Sequence, residues 1–331
     1  MTTSTATAKQ QASKSHFRPD IQGLRAVAVL LVLIFHAGDG SVLSGGFTGV
    51  DIFFVISGYL ITGHLIRSCL EKGKISLINF YAGRIRRILP AATAVLVFTA
   101  LITILVLPDT RWMLIGAEII ASSVYLVNWL FASNTNYLNA EAAASPVQHY
   151  WTLSVEEQFY ILWPALLIGL LYFSRHRFTL DSEETSGTKL NKVRWLQRYI
   201  ALAAVLITLV SLCFSIYFSY TNPAPAYFIT STRLWELGIG AILASFSFQL
   251  ERISAPIGYA LGVMGLASIV AAGVTFDSQT VFPGYAALVP TLGAAAVIIG
   301  GMGGRAEKGV GVLLKVKPMR WIGDLSYSLY L

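Results

Sequence analysis

Long apolar runs separated by short polar stretches organise the chain. They cover 21–37, 50–66, 88–107, 149–173, 199–219, 228–248, 256–273 and 284–302, and a last run begins at Trp321 and continues to Leu331. A helix of about 20 apolar residues crosses a hydrocarbon core roughly 30 Å thick. Only helices and closed barrels satisfy every backbone group there. The pattern predicts an all-α, polytopic transmembrane helical bundle of about nine to ten spans. The last run ends two to three turns after it starts, so the bundle reads as truncated in its last span.

Charge sorts the connections. The N-terminus and the loops 67–87, 174–198, 249–255 and 303–320 hold most of the Lys and Arg residues, whereas 38–49, 132–148, 220–227 and 274–283 hold none. The positive-inside rule places the first group in the cytoplasm and the second outside. The run 112–131 then has both flanks outside and is expected to form a re-entrant or interfacial outer helix. Its Trp112, Glu118, Asn128 and Trp129 suit that position. Residues 1–16, rich in Ser, Thr, Ala, Gln and Lys, are expected to be a disordered cytoplasmic tail ahead of one membrane domain, 17–331.

Composition agrees. Of 331 residues, 55% are hydrophobic and 12% charged, against about 25% charged in soluble domains. The mean hydropathy is +0.64. The net charge of +7 sits in loops that set topology, so no nucleic-acid partner is expected. Two cysteines provide no disulfide framework, and no metal site is expected.

Ionisable groups inside apolar runs mark candidate chemistry, because lipid disfavours them. Arg25 and His36 are eleven residues apart, so they share one helix stripe about 16 Å long. Arg25 falls on the cytoplasmic side with Arg84, Arg86 and Arg87, whose guanidinium forks suit phosphate. Anchoring to lipid headgroups is the plainer reading of such a cluster. Toward the outside lie His36, Asp51, His149 and Glu156, together with Arg233 and Glu236, which are three apart and can pair.

Several stretches carry a resemblance. These are Arg25 with His36; Gly49-Val-Asp51-Ile-Phe-Phe-Val-Ile-Ser57-Gly58-Tyr59; Phe80-Tyr81 with Arg84-Ile-Arg86-Arg87-Ile-Leu-Pro90; and His149-Tyr-Trp-Thr-Leu-Ser154-Val-Glu156-Glu157-Gln158-Phe-Tyr160. Weaker matches surround Arg233 and the closing Gly323–Leu331 stretch. Through them the chain resembles the integral membrane acyltransferase-3 family, the O-acyltransferases of bacterial surface polysaccharides. The resemblance implies transfer of an acyl group, usually acetyl, from cytoplasmic acetyl-CoA to a hydroxyl of an extracytoplasmic glycan or glycolipid. It implies a multi-pass protein of the bacterial cytoplasmic membrane, and the charge count above expects the N-terminus inside. Family members continue into at least one further span, and some append an SGNH-type hydrolase domain after it; the resemblance leads one to expect such segments beyond Leu331.

On this reading His36, His149, Glu156 and Asp51 are the candidate catalytic residues. His36 is the acid–base or acyl-carrying group and Asp51 an orienting carboxylate. Arg25, Arg84, Arg86 and Arg87 are the candidates for binding the CoA phosphates. A proton-coupled transporter or flippase of a surface-glycan precursor is the alternative, since intramembrane charges also mark transport pathways. The chain shows no internal repeat of the kind many transporters carry.

Overall fold

The computed structural model describes residues 18–38, 42–72, 76–134, 145–173 and 186–331. The expected tail, 1–16, and residues 135–144 and 174–185 of the expected loops 132–148 and 174–198 lie outside the described residues, and from Ser186 onward the second of these loops is helix. Those described are helical, with no strand among them. In chain order the helices are α1 (Pro19–Ala37), α2 (Gly49–Lys72), α3 (Leu77–Val106), α4 (Trp112–Ser123), α5 (Val127–Asn134), α6 (Tyr150–Phe173) and α7 (Ser186–Thr221). They continue with α8 (Pro223–Phe228), α9 (Leu234–Ser245), α10 (Ser247–Leu250), α11 (Ala255–Thr275), α12 (Leu288–Gly300), α13 (Val310–Leu314) and α14 (Lys317–Tyr330).

Among the described residues five helices are long and apolar enough to cross a membrane: α1, α2, α3, α11 and the apolar part of α7. The protein is a multi-pass membrane protein. Two expected spans are shorter than their apolar runs. α9 has 12 residues and α12 has 13, so each is about 18–20 Å long. Before α9 the chain is extended at Ile229 and turns through Thr230–Thr232. The Thr232 hydroxyl donates there to the carbonyls of Ala226 and Ile229. Such irregular backbone is tolerated at membrane depth where protein encloses it. α9 is enclosed, packed between α2 and α7.

Small residues permit that packing. A Cβ on Gly58 would overlap the Leu237 carbonyl, and one on Gly240 the Val55 carbonyl, so α2 and α9 meet backbone to backbone. Close approach of this kind drives helix association in lipid. Gly58→Val is therefore expected to destabilise the protein by about 1–3 kcal/mol or more. Gly63→Ala, on the same helix with open space around it, is expected to leave stability near wild type. Thermal unfolding in detergent, followed by size-exclusion chromatography, distinguishes them.

Residues 112–131 form two helices rather than one. α4 and α5 are separated at Val124–Leu126, where Tyr125 has φ 56°. The Gln158 side-chain amide donates to the Tyr125 carbonyl and to Asn128, and the Asn128 amide donates to Thr230. Polar residues of three segments thus hold the break in place, and neither helix alone has the length of a span.

The start of α3 corrects another expectation. The sequence places Arg84, Arg86 and Arg87 in a basic loop, but α3 begins at Leu77, where the Ser76 side chain accepts from the Asn79 amide. All three arginines therefore lie on a helix. Arg84 and Arg87 share a face, whereas Arg86 is rotated about 200° from Arg84.

Candidate functional site

A cavity of about 350 Å³ lies between α1, α2, α3, α6 and α14. Its lining follows α2 from Val50 to His64, about 21 Å of helix. Its two ends differ in chemistry.

At the end where α1 and α3 begin, Arg25, Arg84 and Arg87 line the wall beside Asn79 and His64. Arg25 donates to Gln22 at 3.1 Å and lies within electrostatic reach of Arg87 and Glu156. Arg84 sits with its Cζ 3.2 Å from the centroid of the Tyr160 ring and pairs with Glu157 at 3.4 Å. Arg86 is exposed and does not line the cavity.

The middle of the wall is a hydrogen-bonded cluster. Ser57 donates to Glu156 Oε1 at 2.7 Å, and the Tyr160 hydroxyl donates to Oε2 at 3.0 Å. Glu156 and Tyr160 are one helical turn apart on α6, a spacing legible in the sequence. Their meeting with Ser57, 99 positions away, is not.

Toward the other end the lining includes Thr152 and Tyr330, whose hydroxyls are 2.8 Å apart. The His149 ring abuts Tyr330 with centroids 6.3 Å apart, its Nε2 buried without a hydrogen bond. His149 and His36 are close enough to interact electrostatically. His36 is exposed at the end of α1 and outside the cavity lining. Its Nδ1 lies 2.8 Å from the Val32 carbonyl. A carbonyl only accepts, so Nδ1 carries the proton and, in the neutral ring, Nε2 keeps the free lone pair.

Asp51 departs from its expected place. Its side chain is wholly buried against Arg233, at 2.9 Å, and the same guanidinium nitrogen contacts Glu236 at 3.0 Å. Arg233 is enclosed by the rings of Trp151, Tyr227 and Phe282 at 5.0–5.3 Å. Asp51 therefore orients no histidine. The Arg233–Glu236 pair expected from spacing is present, with a third member from α2. Among the described residues no group of three or more His, Cys, Asp or Glu could hold a metal ion.

The structure thus gathers Arg25, Arg84, Arg87 and Glu156 around one cavity, sets His149 and His36 beyond its far end, and leaves Arg86 and Asp51 elsewhere. A cavity with basic groups at one end and histidines past the other suits chemistry on a substrate that enters lengthwise. Residues 18–331 match the family model described as "Acyltransferase domain", and the chain belongs to that family. It is 33% identical over 328 residues to "O-acetyltransferase OatA" of Staphylococcus aureus, covering 95% of this chain and 50% of the relative. It is 32% identical over 324 residues to "Peptidoglycan O-acetyltransferase OatA" of Listeria monocytogenes, covering 95% and 48%. The chain spans about half the length of these relatives. No solved structure matches it.

Proposed function

We propose that this chain is the membrane part of an O-acetyltransferase that takes acetyl from acetyl-CoA on the cytoplasmic side and delivers it to a hydroxyl of an extracytoplasmic glycan. The cavity carries the reading, because it runs about 21 Å along α2 from the arginines toward Thr152 and Tyr330, with His149 against Tyr330 beyond its lining. The family and the OatA relatives favour acetyl as the group and peptidoglycan as the acceptor.

The parts divide the work. Arg84 and Arg87 present two guanidinium groups on one face of α3, and Arg25 faces them across the cavity mouth. Together they would bind the CoA phosphates through charge-assisted hydrogen bonds. The cavity beyond would admit the pantetheine arm, thioester first. His36 Nε2 would take the proton of the acceptor hydroxyl, with His149 beside it. The acceptor oxygen then bonds to the acetyl carbon and the bond from that carbon to the donor breaks. On this orientation the N-terminus faces the cytoplasm, in accord with the basic loops.

Acetyl-CoA binding to the detergent-purified protein, measured by calorimetry, tests the donor site. Losing one charge-assisted hydrogen bond costs about 1.5–3 kcal/mol, so Arg84→Ala and Arg87→Ala are each expected to weaken binding roughly 10- to 150-fold. Arg86→Ala, which alters a residue outside the cavity, is expected to bind as wild type. Equal losses at all three positions, or none, would remove the cavity from donor binding.

A further inference from the structure

Ser57 lies halfway along the lining stretch of α2, seven residues from Val50 and seven from His64. Its hydroxyl donates to Glu156 at 2.7 Å. Both side chains face the cavity, and the second oxygen of that carboxylate is held by Tyr160. Glu156 is also within electrostatic reach of Arg84 and Arg25. A hydroxyl hydrogen-bonded to a fixed carboxylate, within reach of guanidinium groups, is the constellation of a nucleophile and its base. It also lies between the arginine end of the lining and the Thr152–Tyr330 end. A group that must travel from one end to the other meets this hydroxyl first.

We infer that Ser57 is the nucleophile that receives the acyl group, forming an acyl-serine ester in mid-membrane. The inference rests on the acyl-CoA reading above. In the first step Ser57 Oγ attacks the thioester carbonyl carbon and its proton passes to Glu156. The carbon–sulfur bond breaks, and the thiolate takes that proton and leaves as free CoA. In the second step the acceptor hydroxyl attacks the ester carbonyl and the bond to Oγ breaks. The proton lost by the acceptor restores the Ser57 hydroxyl. Two displacements let the donor leave before the acceptor is needed, so neither substrate crosses the membrane.

The test uses the full chain in lipid nanodiscs, with radiolabelled acetyl-CoA and no acceptor. Wild type is expected to release about one equivalent of CoA and to retain one acetyl group, located at Ser57 by peptide mass spectrometry. Glu156→Gln is expected to slow labelling about 10²–10⁴-fold. Ser57→Ala is expected to remain unlabelled while still binding acetyl-CoA. Ser57→Cys moves the label onto sulfur, where neutral hydroxylamine removes it, whereas the serine ester resists. That chemical signature would not follow from a structural role for Ser57. Acetyl-CoA that binds without labelling Ser57, or a label on another residue, overturns the serine and leaves the donor reading intact. A protein that does not bind acetyl-CoA at all overturns both.

Discussion

His36→Gln is expected to abolish acetyl transfer to the acceptor while leaving the amount of folded protein in the membrane unchanged. Glutamine keeps a hydrogen-bonding side chain of similar reach and loses the titratable ring. His36 is exposed at the end of α1, so little packing depends on it, and surface substitutions usually alter stability by less than about 0.5 kcal/mol. Its proposed role depends on the ring. The Nδ1 bond to Val32 directs the Nε2 lone pair away from the helix, and imidazole is the side chain whose unperturbed pKa suits proton exchange near pH 7. Loss of a general base slows a reaction about 10²–10⁴-fold. Transfer to a glycan acceptor, scaled to folded protein by quantitative blotting, checks the prediction. A His36→Gln protein with the wild-type transfer rate would leave His36 no catalytic role.

Arg233→Met removes most of the folded protein, for the opposite reason. Arg233, Asp51 and Glu236 have no exposed side-chain surface, and the guanidinium holds both carboxylates. Without it two carboxyl groups from α2 and α9 face each other in an apolar enclosure. Breaking a buried pair by deleting one partner costs about 3–5 kcal/mol, because the remaining charge has nowhere to go. Asp51→Asn is milder, since Glu236 stays paired with Arg233. The expected order of melting temperature in detergent is wild type, then Asp51→Asn, then Arg233→Met. Arg233→Met with wild-type stability would show that the triad does not hold the bundle.

The helices were largely legible because lipid imposes length and apolarity on each run. The boundaries of α1, α6 and α11 fall close to the apolar limits. α9 and α12 did not, since their ends depend on protein enclosure, which hydropathy does not encode. Arg25 and Glu156 were readable as charges stranded in apolar runs, and Arg84 and Arg87 as a cluster. Separating Arg86 from its neighbours required knowing that α3 begins at Leu77 and so fixes a helical phase. Asp51 looked the same as Glu156 in sequence. Only the tertiary pairing with Arg233, 182 positions away, assigns it to packing. Ser57 was visible only as one letter of a motif, because an uncharged residue in an apolar run gives no signal until its partner is placed.

The central claim is that acetyl enters at the arginine end and leaves at the histidine end. Sealed membrane vesicles of both orientations, given radiolabelled acetyl-CoA from outside, test it most directly. Inside-out vesicles, which present the cytoplasmic face, are expected to incorporate label into glycan held in their lumen. Right-side-out vesicles are expected to incorporate none until made permeable. Incorporation from the extracytoplasmic face in sealed right-side-out vesicles would contradict the account.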